Sequence, residues 1–154
     1  MEELDFGVLL GLAYNQLVDE LHTHLDKAGF NRLQLRPAFG YAFRALARES
    51  LTTSQLAARL GITPQGAAKT VDEMVAAGFV ERVPDPADGR MRRLRLTDHC
   101  RSLMAVAREF HAEVERRLAA EFGTEHIAVV RQVLNAIVDR NESPDSLARA
   151  LRGL

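Results

Sequence analysis

The stretch that most constrains this chain is Leu51–Thr97, LTTSQLAARLGITPQGAAKTVDEMVAAGFVERVPDPADGRMRRLRLT. Thr52-Thr53-Ser54-Gln55 fits a capping box, in which Thr52 caps a helix start and Gln55 reaches back from three residues on. The helix it opens is short, about 53–60, with Leu56, Ala57 and Leu60 inward. Gly61 breaks it and Ile62 plugs the corner. Thr63 caps the next helix, and Pro64 takes the first helical position, where its missing N–H costs nothing. This second helix spans about 64–77, buries Ala67, Val71, Met74 and Val75, and ends at Gly78. Phe79–Val83 then reads as a strand, and Pro84-Asp85-Pro86-Ala87-Asp88-Gly89 as a turn. Leu94 and Leu96 alternate with Arg93 and Arg95, as in a strand buried on one face. So 79–96 is a hairpin with its tip near Asp88-Gly89. A small residue at Ala57, a glycine in the turn and the plug at Ile62 let the two helices cross closely. The outline is that of a winged helix-turn-helix.

The flanks are helical. Residues 5–28 place Leu10, Tyr14, Leu17, Leu21 and Leu25 three or four apart, with Gly29 as the stop. Val8, Leu9, Leu12 and Ala13 lie partly off that stripe, so this helix needs neighbours on two sides, from its own chain or from another. Pro37 opens a helix over 37–48 with Ala38, Phe39, Ala42, Phe43, Ala45 and Leu46 apolar. Thr97 caps a long helix over 98–122, whose Leu103, Ala107, Phe110, Val114, Leu118 and Phe122 keep helical spacing until Gly123. Thr124 starts another, with Ile127, Val130, Leu134, Ile137 and Val138 in a stripe. Ser143-Pro144 starts a short terminal helix carrying Leu147, Ala148 and Leu151.

Composition narrows the function. Hydrophobic residues make up 47% of 154, enough for a packed core. Trp is absent, and seven Phe and two Tyr leave little for a large aromatic ligand cage. No apolar run approaches the roughly 20 residues of a membrane span, and Met1-Glu2-Glu3 is no signal-peptide start, so a soluble cytoplasmic protein is expected. A single cysteine, Cys100, excludes an intrachain disulfide framework and a cysteine-rich zinc site. No HExxH, Gly-rich phosphate loop, GxSxG or paired-carboxylate cleft is present, so the expectation is a non-enzyme with no cofactor and no metal.

The net charge is −1, so nucleic-acid binding requires a local basic patch. Arg90, Arg92, Arg93 and Arg95 supply one between residues 90 and 96, with no acid among them. An arginine at a hairpin tip enters a minor groove, where narrow A·T tracts concentrate negative potential. Asp88, two residues before Arg90, is placed to hold that arginine in one rotamer by a charge-assisted pair. On the second helix, Thr63, Pro64, Gln65, Ala68 and Lys69 remain outward on the half that enters a major groove in such units. Gln pairs bidentately with adenine, Lys reaches guanine or phosphate, and Ala touches a thymine methyl.

These residues, with Asp88-x-Arg90 in the wing and Leu96-Thr97 opening the next helix, resemble the MarR (multiple antibiotic resistance regulator) family. The order of elements agrees along nearly the whole chain. The resemblance implies that Thr63, Gln65, Ala68 and Lys69 lie on a recognition helix and that Arg90 is the minor-groove arginine. It also implies a homodimer in which the first and last helices intertwine, and an effector that alters DNA affinity.

Three effector chemistries are open. A small aromatic or phenolic acid would sit among helices 5–28, 37–48 and 98–122, against Tyr14, His22, Phe39, Phe43, Arg108 and His111. Cys100, third in a helix, is the one redox candidate, since a helix N-terminus lowers a thiol pKa; the alternative is a partly buried thiol under the wing. His22 and His111 could meet across the helix junction and take a metal or an acid; His24, two from His22, faces another way.

The expected fold is mainly α with a small β-hairpin wing, a winged helix-turn-helix DNA-binding lobe plus a helical dimerisation lobe. Within a single 1–154 unit, 37–97 is the winged helix-turn-helix, 98–122 the connecting helix, and 5–30 with 124–152 the dimerisation region. The expected function is a sequence-specific DNA-binding transcriptional regulator. It is a homodimer on a pseudo-palindromic double-stranded operator, acting as a repressor modulated by a small-molecule effector. The DNA-binding set is Thr63, Pro64, Gln65, Ala68, Lys69, Asp88, Arg90 and Arg92. The alternative is a winged-helix adaptor whose arginines meet an acidic protein.

Overall fold

The computed structural model describes residues 3–31 and 35–139. Its elements are α1 (Phe6–Lys27), α2 (Pro37–Arg48), α3 (Thr53–Leu60), α4 (Pro64–Ala76), β1 (Val80–Pro84), β2 (Arg92–Leu96), α5 (Asp98–Phe122) and α6 (Thr124–Asp139). The helix expected from Ser143 lies outside the described residues. Every other expected element is present, and the two strands form one antiparallel hairpin.

Local signals act as read. The Thr52 hydroxyl accepts the Gln55 N–H at 3.2 Å, while Gln55 Oε1 accepts the Thr52 N–H at 2.9 Å. Gly61 turns the chain at φ 63°, in the left-handed region that a side chain disfavours. Thr63 accepts the Gly66 N–H at 3.0 Å. A Cβ at Gly66 would lie 3.1 Å from that same Thr63 hydroxyl, so the bare glycine leaves the cap room. Thr97 caps α5 through the Cys100 N–H and donates its own proton to Gly78 O at 2.6 Å. One residue thus starts α5 and ties it to the end of α4.

The core joins α2, α3, α4, the hairpin and the start of α5. Leu56, Val71, Met74, Phe79, Val80, Leu94, Leu96 and Cys100 are buried there. Phe79 is the hub, with Phe39 and Phe43 edge-on at 6.4 and 5.5 Å. Leu51 bridges to Leu94, with Leu94 N–H donating to Leu51 O at 2.8 Å. The hairpin is therefore stitched to the residue just before α3.

Outside this core the packing thins. In α1 only Leu25 is buried, where its C-terminal end meets the core, and His24 rests on Phe110 of α5. Phe6, Val8, Leu9 and Leu12 are 51–63% exposed, and Tyr14, expected on the buried stripe, is 52% exposed. In α6, Val129, Val130, Val133, Leu134, Ile137 and Val138 are 41–64% exposed. Helix α6 folds back on α5, where Arg131 Nε donates to Glu115 at 2.8 Å.

Candidate nucleic-acid interface

The N-terminal half of α4 presents Thr63, Pro64, Gln65, Ala68 and Lys69 to solvent, while Ala67, Val71 and Met74 face inward. Burial of that inner face by α3 orients the outer one. Further along, the two acids of α4 are each matched by an arginine: Asp72 by Arg82 of β1, and Glu73 by Arg36 at 3.2 Å. Those carboxylates therefore cost the helix less repulsion from a polyanion than bare acids would.

In the wing the four arginines separate into two kinds. Arg95 donates to Glu81, its directly opposed partner in the hairpin register, at 2.8 Å. Arg93 turns inward to Asp85 and to the Ser50 carbonyl. Arg90 and Arg92 are exposed and make no side-chain ion pair among the described residues. The expected Asp88–Arg90 side-chain pair does not form. The Asp88 carboxylate instead accepts the Arg90 backbone N–H at 3.0 Å, a local turn bond that leaves the guanidinium free.

Asp85, part of the turn in the sequence, is the buried acid of the wing, 6% exposed. Arg93, the Ala87 N–H and the Asp88 N–H hold its carboxyl below the usual carboxylate range. Its pairing with Arg93 follows from no short spacing. The Glu81–Arg95 pair was legible once the hairpin was folded about its tip.

A model of the MarR family matches residues 38–91, the α2-to-wing-tip segment. The transcriptional regulator AdcR of Streptococcus pneumoniae serotype 2 (strain D39) is 32% identical over 99 residues. That match takes in 60% of this chain and 66% of AdcR, just under two thirds of that relative's length. Among solved structures, YusO from Bacillus subtilis superposes with a TM-score of 0.64 at 17% identity, covering 89% of this chain and 94% of that one. The transcriptional repressor CouR, bound to a 23-mer DNA duplex, superposes with a TM-score of 0.62 at 23% identity, covering 89% and 99%.

Over that segment the chain is similar to the MarR family, and its fold is that of YusO and CouR.

The matched segment, α2 to the wing tip, is the part of this fold that carries the helix-turn-helix. The six residues expected around an effector differ in exposure. Phe39 and Phe43 are core residues, 2% and 3% exposed, because Phe79 packs on both. Tyr14 and Arg108 are exposed and His22 is half-buried. His111 lies near Arg44, and partial burial and that positive charge both push its imidazole below its ordinary value. An opening of about 380 Å³ beside α3 is lined by Glu49, Leu51, Gln55, Ala58 and Arg59. Another of about 330 Å³ between α1 and α5 is lined by Gln16, Asp19, Glu20, Thr23, His24, Lys27 and Phe110. Neither contains any of the six.

Cys100 is wholly buried, more deeply than expected, and burial pushes its thiol up to about 12. Across the α1–α5 junction the ring contact is His24 on Phe110, while His111 lies against Phe110 within α5; among the described residues there is no ring contact between His22 and His111. No group of three or more His, Cys, Asp or Glu side chains suited to a metal occurs among the described residues. Nor is any described helix long and apolar enough to cross a membrane.

Proposed function

We propose that this chain is a cytoplasmic, sequence-specific DNA-binding transcriptional repressor that works as a homodimer on a pseudo-palindromic operator. The observation that carries the reading is the joint exposure of two elements held by one core. Thr63, Pro64, Gln65, Ala68 and Lys69 face out from the start of α4, and the exposed Arg90 and Arg92 face out from the wing. Gln65 and Lys69 lie on one helix face, suited to base edges and phosphate in a major groove. Arg90, with its backbone fixed by Asp88, suits the flanking minor groove. CouR, of the same fold, is a repressor seen on a duplex. The dimer is supported by the exposed apolar faces of α1 and α6, the outer parts of the 5–30 and 124–152 region assigned to dimerisation.

The test is selection of bound duplexes from a random pool by the full chain, followed by titration of the selected sequence. The expected sequence has two-fold symmetry, with half-sites about one helical turn apart. Gln65→Ala should relax preference at one or two positions at a cost of about 1–3 kcal/mol. Arg90→Ala should weaken binding on most duplexes and lower the salt slope by about one. Binding to an acidic protein with no retention by duplex DNA would instead favour the adaptor. The effector we assign is a small aromatic or phenolic acid. Its support is the positive charge of Arg44 on α2, felt at the neighbouring His111 of α5. A rise in Tm and a fall in operator affinity with such an acid would bear this out, and no change in either would remove it.

A further inference from the structure

We propose that Asp85 and Arg93 are positioning residues that clamp the wing to the helix-turn-helix, so that Arg90 is held in place before DNA arrives. This rests on the DNA-binding reading above. The clamp is a continuous chain of bonds. At the tip, Asp88 accepts the Arg90 N–H at 3.0 Å. Asp85 Oδ1 accepts the Ala87 and Asp88 N–H groups at 2.7 and 3.0 Å. The loop is closed beneath by the Asp85 N–H to Met91 O at 3.0 Å. Asp85 Oδ2 accepts Arg93 Nε, and Arg93 Nη1 donates to Ser50 O at 2.6 Å. Next to Ser50, Leu51 O takes the Leu94 N–H, and Thr52 begins the capping box of α3.

A wing joined to the body by two strands alone would swing about its base. Here a buried carboxylate, 6% exposed, is met by three donors and spans the base of the swing. The planar guanidinium of Arg93 meets two acceptors at once, one in the wing and one in front of α3, which a lysine ammonium reproduces poorly. Two consequences differ from those of a phosphate-binding arginine. Arg93 is spent internally and contributes no DNA charge contact. Asp85, an acid in a DNA-facing element, strengthens binding.

Duplex affinity in the full chain separates these. Asp85→Asn removes a negative charge, so electrostatics alone would tighten binding to a polyanion. The clamp predicts the opposite: Asp85→Asn and Arg93→Lys each weaken binding about five- to tenfold, through the cost of ordering a loosened tip. The salt slope stays unchanged, since no phosphate contact is lost. In an Arg90→Ala background the same substitutions cost less than about twofold, because the residue being positioned is gone. A nitroxide on Gly89→Cys, at an exposed tip with nothing within 4 Å of the added Cβ, should report faster tip motion in both clamp variants.

Equal or tighter binding by Asp85→Asn with an unchanged nitroxide spectrum would overturn the clamp. So would Arg93→Lys losses that add fully to those of Arg90→Ala. If the parent retains no duplex even at low salt, the DNA reading falls. The spectrum then decides the clamp by itself: faster motion supports it and unchanged motion overturns it. Should Asp85→Asn lower the Tm enough to unfold the chain, Arg93→Lys, which keeps the charge, carries the same comparisons.

Discussion

Cys100 sits third in α5, where the helix end favours a thiolate, yet burial among Phe79, Leu96 and Leu103 decides its chemistry. With the thiol pushed up to about 12, it should resist thiol reagents at pH 8 in the folded chain and react only on unfolding. Peroxide should leave duplex binding unchanged, which the same titration checks. Asp85 is the opposite case. Arg93 and two backbone N–H groups hold its folded value below the ordinary 3.8. A depressed carboxylate contributes stability that is complete above its unfolded value and is lost as pH falls through the folded one. Tm should therefore be level in this respect above about pH 5 and fall below about pH 4. Asp85→Asn should show a smaller acid loss, read by thermal melts across pH.

The elements follow their local punctuation closely because caps and breakers act over a few residues. Thr52, Thr63 and Thr97 each accept the N–H three residues on, where each was expected to start a helix. Thr52→Ala should cost about 1 kcal/mol. Leu56→Ala, which empties a wholly buried site between α3 and α4, should cost about 2–5 kcal/mol. Both are measured by denaturant unfolding. The strand boundaries moved by a residue, and the Leu51–Leu94 bridge was not visible at all. A one-residue bridge leaves no alternation to read.

At the scale of the molecule, the N-terminal part of α1 and the length of α6 leave apolar side chains about half exposed, more than a stable monomer gains by showing to water. Homodimerisation would cover them. Leu12→Glu or Val133→Glu should then shift the chain from dimer to monomer at micromolar concentration, read by sedimentation. Duplex affinity should fall with it, since each half-site reader binds alone. Either variant remaining dimeric would place the interface elsewhere.

By itself the sequence determined the winged helix-turn-helix, its order of elements, and which face of α4 points outward. Those follow from period, cap and breaker, all written within a few residues. The excess apolar surface of α1 and α6 was legible in the same way, as stripes wider than one neighbour requires. The tertiary structure alone decided what individual charged and aromatic side chains do. Four arginines between residues 90 and 96 look alike in the chain, yet folding gives Arg93 to Asp85 and Ser50, Arg95 to Glu81, and leaves Arg90 and Arg92 outward. Phe39 and Phe43, expected around a ligand, pack on Phe79, which lies 40 and 36 residues further along the chain. Partners brought together across such separations are set by packing, and spacing along the chain carries no trace of them.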